Sequence, residues 1–393
     1  MHLASLGAEI WVPSVKDRSD FQLVLSLVLG DGKSIVNNTN NATNNSDAAN
    51  LLINLCEPML DYVEWFNNEV CGSKDSIFVD FTLSLRDILS WARFIVACTS
   101  CDKQNITSIW QAYLHGAALM HLDGLGLGTG LNVDDARSTR ISAYKFLKSK
   151  IPSASYSLAV ENFDIVSDKK AEVVAETETA MEDDDEVEVE VEVSSLVVST
   201  PERFGILPFT IQTGPTQISR KESDFSMTAP TTGSNIRRVI RAMQLTKPVL
   251  LEGSPGVGKT SLIEALAKAS GHKLVRINLS EQTDISDLMG SDLPVDNDSE
   301  GEGGGGGAKF SWCDGVFLRA LKNGDWVLLD ELNLASQSVL EGLNSCLDHR
   351  AQVYIPELSK TFDCPKSFRV FAAQNPLAQG GGRKGLPKSF LNR

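Results

Sequence analysis

The chain has 393 residues, too many for one small domain, and its 42% hydrophobic and 22% charged content matches ordinary globular usage. A net charge of -15, from 51 acidic against 36 basic residues, argues against an overall polyanion-binding surface and against direct sequence-specific nucleic-acid binding; only a local basic patch is left open. Seven scattered cysteines, an odd number, fit a reducing compartment rather than a disulfide framework.

In chain order, Glu9-Ile10-Trp11-Val12-Pro13 reads as a strand and Phe21–Leu29 as a helix. The run Leu23–Leu29 falls short of the roughly 18 apolar residues that span a bilayer. Asp17, Arg18 and Asp20 precede it, which does not suit a signal peptide. The chain is therefore expected to be soluble, intracellular and without membrane contact, and the N-x-[ST] sequons of Asn37–Ser46 are not expected to be glycosylated. Residues 36–48 form an Asn/Thr/Ser tract expected to be a disordered loop.

Residues 49–150 are expected to be helical throughout. Leu51, Leu52, Leu55, Met59, Val63 and Phe66 recur at helical intervals, as do Leu83, Ile88, Trp91, Phe94 and Ile95. Ser108–Leu122 supplies a further helix, ended by glycines at 124, 126, 128 and 130. Cys98 and Cys101 make a single C-x-x-C inside an apolar helical stretch, which favours packing over zinc or redox chemistry.

Residues 151–203 change character. Eight acids lie between Glu182 and Glu192, and Glu186–Val193 alternates with strand period. With Glu182–Asp185 ahead of it, this stretch is expected to be a solvated acidic linker; an acidic docking segment for a basic partner is the alternative.

From about Phe204 strands and helices alternate. Val249-Leu250-Leu251 is a short buried strand, followed by a glycine-rich turn and the helix Ser261–Ala269. Lys273–Asn278, Trp326–Leu329 and Arg369–Ala373 read as further strands, and Glu300–Gly307 as a loop insertion. This spacing predicts an α/β domain with a parallel sheet covered by helices on both faces.

Gly253-Ser254-Pro255-Gly256-Val257-Gly258-Lys259-Thr260 matches G-x-x-x-x-G-K-[ST] in full, after an apolar strand and at the start of a helix. The glycines let backbone N–H groups turn around an anion, and the helix presents its positive end to the same point. Gly253 through Ser261 are thus expected to bind ATP, with Lys259 on the β- and γ-phosphates and the Thr260 hydroxyl on Mg²⁺. Trp326-Val327-Leu328-Leu329 delivers Asp330-Glu331 to the carboxyl edge of the sheet, where open parallel sheets bind ligands. Asp330 suits Mg²⁺, directly or through water. Glu331, pointing the other way along the strand, suits a general base. Asn375, at the end of the last strand, either orients the water or senses the γ-phosphate, or is a turn asparagine before Pro376.

Together with Asp330-Glu331-Leu332-Asn333, Gln374-Asn375-Pro376, Phe310-Ser311-Trp312-Cys313-Asp314-Gly315 and the closing Ser389-Phe390-Leu391-Asn392-Arg393, these motifs resemble an AAA+ module of the dynein-related/MoxR-like branch. The resemblance points to the giant six-module members that remodel pre-60S ribosomal particles. It implies a P-loop AAA+ large subdomain over 204–393 with Walker A, Walker B and sensor 1, preceded by an α-helical, lid-like domain over 1–150. Asn375 would be the sensor-1 residue, and Arg393 an arginine finger completing a neighbouring module's site in a ring. In the N-terminal zone, Ser84-Leu85-Arg86-Asp87-Ile88 resembles a lid's sensor-2 segment, and His115-Gly116-Ala117 and Leu122–Gly126 resemble inter-module sequence.

The order becomes lid of one module, acidic linker, core of the next, which is expected of a piece of a longer protein. The function implied is Mg²⁺-dependent ATP hydrolysis in pre-60S maturation in the nucleolus and nucleoplasm, with the particle and its assembly factors as partners. The alternatives are a structural nucleotide-binding module without turnover, another ATPase of the same branch, or a small-molecule kinase, which the Asp330-Glu331 pair and the Asn375 strand disfavour.

Overall fold

A computed structural model of the chain describes residues 17–30, 51–72, 77–78, 81–99, 108–125, 133–160, 163, 196–216, 229–294, 310–344, 346–347, 352–355, 358–376 and 384–387. The expected strand at 9–13, the tract 36–48, the acidic run 182–193, the insertion 300–307 and Arg393 lie outside these residues. The described residues fall into two compact units, one ending at Phe163 and the other beginning at Leu196.

The first unit is helical: α1 (Arg18–Gly30), α2 (Cys56–Trp65), α3 (Leu85–Thr99), α4 (Ile109–Ala117), α5 (Val133–Ser149) and the short α6 (Tyr156–Val160). Both α2 and α4 run on into one wider turn, through Val70 and Leu122. The periodic apolar residues face inward, with Leu55, Met59, Phe66, Phe94 and Ile95 fully buried; Leu51, expected with them, is exposed. Ser108 caps α4 by accepting a hydrogen bond from the Trp110 amide. The close approach of α3 and α4 depends on Gly116, where a Cβ would come within 2.4 Å of the Trp91 ring. Trp91 Nε1 donates to the Tyr113 carbonyl at 2.9 Å. Arg18 is clasped by Glu57, Asp61 and Glu64. Tyr156–Val160, within the span expected to be linker, is helical and belongs with this unit. Cys98 is buried, and no cluster of metal-ligating side chains occurs among the described residues.

His121 is sunk in this core, its ring 4.1 Å from that of Phe66. Burial lowers its imidazole to about 4, against the weaker pull of the Asp87 charge. The folded value lies below the ordinary 6.5, so as pH falls the unfolded chain takes up the proton first. The His121 contribution is therefore intact above pH 6.5 and is lost progressively toward pH 4. In urea titrations of the full chain followed by near-ultraviolet circular dichroism, the midpoint is expected to fall on acidification through this window. The fall should be smaller in His121→Gln, and equal falls in the two proteins would contradict the assignment.

The second unit opens with an antiparallel three-stranded sheet, β1 (Val197–Ser199), β2 (Arg203–Ile206) and β3 (Phe209–Gln212), against which α7 (Pro230–Ala242) packs. Then come β4 (Val249–Glu252), α8 (Lys259–Ser270), β5 (Leu274–Asn278) and α9 (Ile285–Met289). The hairpin β6 (Gly290–Pro294) and β7 (Phe310–Asp314), α10 (Val316–Asn323) and β8 (Trp326–Asp330) follow. The unit continues with α11 (Gln337–Asn344), the hairpin β9 (Gln352–Ile355) and β10 (Lys360–Asp363), and β11 (Arg369–Gln374). The α/β expectation holds in the four-stranded sheet of order β4-β11-β8-β5, parallel at every pairing. The three antiparallel pieces are additions that the alternation pattern did not foretell.

All five residues of β8 are buried, which requires cover on both faces. On one face Val327 and Leu329 join Ile277, Val370 and Ala372 in a core with Phe317, Leu318 and Leu321 of α10 and Val339, Leu340 and Leu343 of α11. Alternation sends Trp326 and Leu328 the other way. Trp326 stacks on His272 at 4.3 Å and meets Phe371 at 5.2 Å, while α8 packs across the sheet through Leu262, Ile263 and Leu266. The parallel register puts Glu252 beside Gln374 and Asn278 beside Asp330, so all four stand at one carboxyl edge. No helix among the described residues is long and apolar enough to cross a membrane.

Candidate active site

That carboxyl edge carries an open cleft of about 320 Å³, lined by Pro255, Gly256, Gly258, Lys259, Thr260, Ser261, Arg276, Asp330, Glu331, Gln374 and Asn375. The turn and the two carboxylates, far apart in sequence, meet here. Gly256 and Gly258 have φ of 79° and 83°, a region where a side chain is strained, and Gly258 leads directly into α8. Gly253 and Ser254 enter through their carbonyls, which accept from Lys259 Nζ at 2.7 and 3.0 Å. Val257 is 62% exposed and lies outside the lining.

Thr260 lies in the first turn of α8, and its hydroxyl donates to Asp330 Oδ2 at 3.2 Å. A hydroxyl and a buried carboxylate side by side at a helix start form a hard oxygen donor set that suits Mg²⁺. Asp330 is 9% exposed at the end of the central strand, and its other oxygen accepts the Glu331 amide at 3.1 Å.

Glu331 departs from expectation. A continuing strand would turn its side chain away from that of Asp330, but the strand ends at Asp330 and Glu331 takes φ 54°, ψ 44°. That left-handed conformation, costly for a residue with a Cβ, brings the second carboxylate into the same cleft.

Asn375 is 4% exposed and its side chain faces the cleft. Its Nδ2 donates to both Glu331 carboxylate oxygens, at 2.9 and 3.2 Å, and its Oδ1 accepts from Lys259 Nζ at 2.9 Å. One amide thereby joins the lysine to the glutamate. Its backbone is steadied by Asn333, whose Nδ2 donates to the Asn375 carbonyl at 2.7 Å.

Two cleft residues, Arg276 and Gln374, and the buried Asn333 behind them carry no role in the sequence. Arg276 on β5 reaches Asp330 Oδ2 through Nη2 at 2.6 Å and Nε at 3.2 Å. Gln374 donates to Glu252 at 2.9 Å, and Asn333 is the clamp just described. A lone arginine within the otherwise apolar stretch Leu274–Ile277, two residues from the sheet edge, was the available signal for Arg276. Arg86, the residue similar to a sensor 2, is exposed on α3 of the first unit.

Residues 248–393 match the family of AAA domains of the dynein-related subfamily, and residues 36–123 match the midasin AAA+ ATPase lid domain. The chain is 50% identical over 311 residues to Midasin of Dictyostelium discoideum, covering 79% of this chain and 5% of that protein. It is 41% identical over 314 residues to Midasin of Giardia intestinalis, covering 80% of this chain and 6% of the other. An uncharacterized protein of Staphylococcus saprophyticus is 32% identical over 133 residues, 34% of this chain and 48% of its own length. The chain thus spans about one-twentieth of the two long relatives.

Proposed function

We propose that this chain, which belongs to the midasin-like branch of dynein-related AAA+ proteins, binds ATP with Mg²⁺ at Gly253–Ser261 and hydrolyses it with Glu331 as general base. The observation that carries the reading is the meeting of Lys259, Thr260, Asp330, Glu331 and Asn375 in one cleft at the sheet's carboxyl edge. Main-chain amides of the turn and the start of α8 would hold the phosphates, while Lys259 neutralises them. Thr260 and Asp330 would hold Mg²⁺, which when bound screens phosphate charge. Glu331, oriented by Asn375, would take the proton from the attacking water.

By the family resemblance, the chain would act beside neighbouring AAA+ modules in a ring, with Arg393 completing an adjacent site. The remodelled object would be the pre-60S particle, in the nucleus. The 204–393 core, the lid-like domain over 1–150 and the acidic linker 151–203 are the proposed division of labour.

A fluorescent ATP analogue is expected to bind the chain saturably in Mg²⁺ and to be displaced by ATP; absence of binding would refute the site. A second reading, a structural module that binds without hydrolysing, would be favoured by wild-type turnover below detection both alone and in the assembled ring. The Glu331 and Asn375 pairing argues for turnover, since a site that only binds has no use for an oriented base.

A further inference from the structure

Asp330 Oδ2 is shared by three donors: Thr260 Oγ1 at 3.2 Å, and Arg276 Nε at 3.2 Å and Nη2 at 2.6 Å. A divalent ion held directly by both the Thr260 hydroxyl and Asp330 would sit against Oδ2, the carboxylate oxygen that accepts from that hydroxyl. The guanidinium lies on that oxygen. Its fixed charge, a two-pronged grip and a side chain that is 52% exposed make it a partner that binds firmly yet is free to swing. A second seat is within reach, since Glu264 on α8 lies 3.5 Å from Arg276 Nη1. The Asp330 side chain is only 12% exposed, and a carboxylate so enclosed needs a positive neighbour.

We propose that Arg276 is a built-in counter-cation for Asp330 that competes with the divalent metal, with the guanidinium moving toward Glu264 when the metal takes Oδ2. Arg276 is then a positioning residue that sets how much free Mg²⁺ the site requires. The inference rests on the metal-site reading of Thr260 and Asp330 given above. It adds a threshold to that site: two cations in turn on one oxygen, one of them tethered.

The test is a titration of the full chain with MnCl₂ alone, followed by the paramagnetic resonance signal of free Mn²⁺. It is paired with the Mg²⁺ dependence of binding of the fluorescent ATP analogue. Arg276→Ala is expected to bind Mn²⁺ roughly tenfold more tightly than wild type, the change expected from loss of one competing contact of about 1.4 kcal/mol. The Mg²⁺ needed for half-maximal nucleotide binding should fall in parallel. Arg276→Lys, which keeps a charge without the fork, should fall between the two, and Glu264→Gln should raise the metal requirement by removing the second seat. Circular dichroism of each variant separates these shifts from misfolding. Equal metal affinity in wild type and Arg276→Ala, or weaker affinity in the variant, overturns the proposal. Tighter Mn²⁺ binding in Arg276→Ala with no nucleotide bound by either protein would uphold the arginine's role and sink the ATP reading. Normal Mg²⁺-ATP binding with no metal shift would do the reverse.

Discussion

Lys259→Ala is expected to lower ATP affinity by about 100-fold, the scale of losing a charge-assisted contact worth up to about 3 kcal/mol. In the structure the ammonium is held by the Gly253 and Ser254 carbonyls and by Asn375 Oδ1, which aims it across the mouth of the turn. Alanine removes the charge and lets those acceptors find other partners, while the glycine-shaped backbone of the turn is untouched. Equilibrium titration with a fluorescent nucleotide measures the loss, and an unchanged thermal melt shows that the fold survives. Affinity within a factor of about two of wild type would mean that the phosphates lie elsewhere, given what such contacts ordinarily contribute.

Glu331→Gln should behave in the opposite way, keeping nucleotide affinity while slowing single-turnover hydrolysis by roughly 10²- to 10⁴-fold, the range for removal of a general base. Glutamine has the same shape, can accept the Asn375 Nδ2 hydrogen bond and meets the same φ of 54°, so neither packing nor backbone strain changes. What is lost is the negative charge that takes the proton. Hydrolysis at the wild-type rate would remove Glu331 from the chemistry.

Much of this cleft was legible beforehand because it depends on local patterns. Lys259 and Thr260 close a complete G-x-x-x-x-G-K-[ST] turn set between an apolar strand and a helix, and Asp330-Glu331 end a second apolar run. The parallel sheet follows from the alternation of strands with helices. Of its four strands β8 is buried along its whole length, whereas β4, expected to be buried, leaves Leu250 40% exposed. The rest was hidden for identifiable reasons. A period of two carried one residue beyond the strand's end sends Glu331 to the opposite face, whereas β8 ends at Asp330. In sequence alone Asn375 stays open between a site amide and a turn asparagine, because its meaning lies in Lys259 and Glu331, distant in sequence. Arg276 contributes a side chain, not a motif, and its one mark in the sequence is that it interrupts the apolar stretch Leu274–Ile277. The three-stranded sheet β1-β2-β3 and the hairpins β6–β7 and β9–β10 escape the sequence because their short strands lack a sustained apolar run and are not spaced by helices.

The carboxamide at 375 has unlike ends, and each is committed: oxygen toward an ammonium, nitrogen toward a carboxylate. Grip and chemistry therefore share a pivot. A displacement of the lysine pulls on the same planar group that aims the base, so the two residues answer to one another as the arms of a balance do. Kinetic effects measured at 259 and 331 will not sum, and the shortfall will reside in a side chain that never needs to touch the scissile bond.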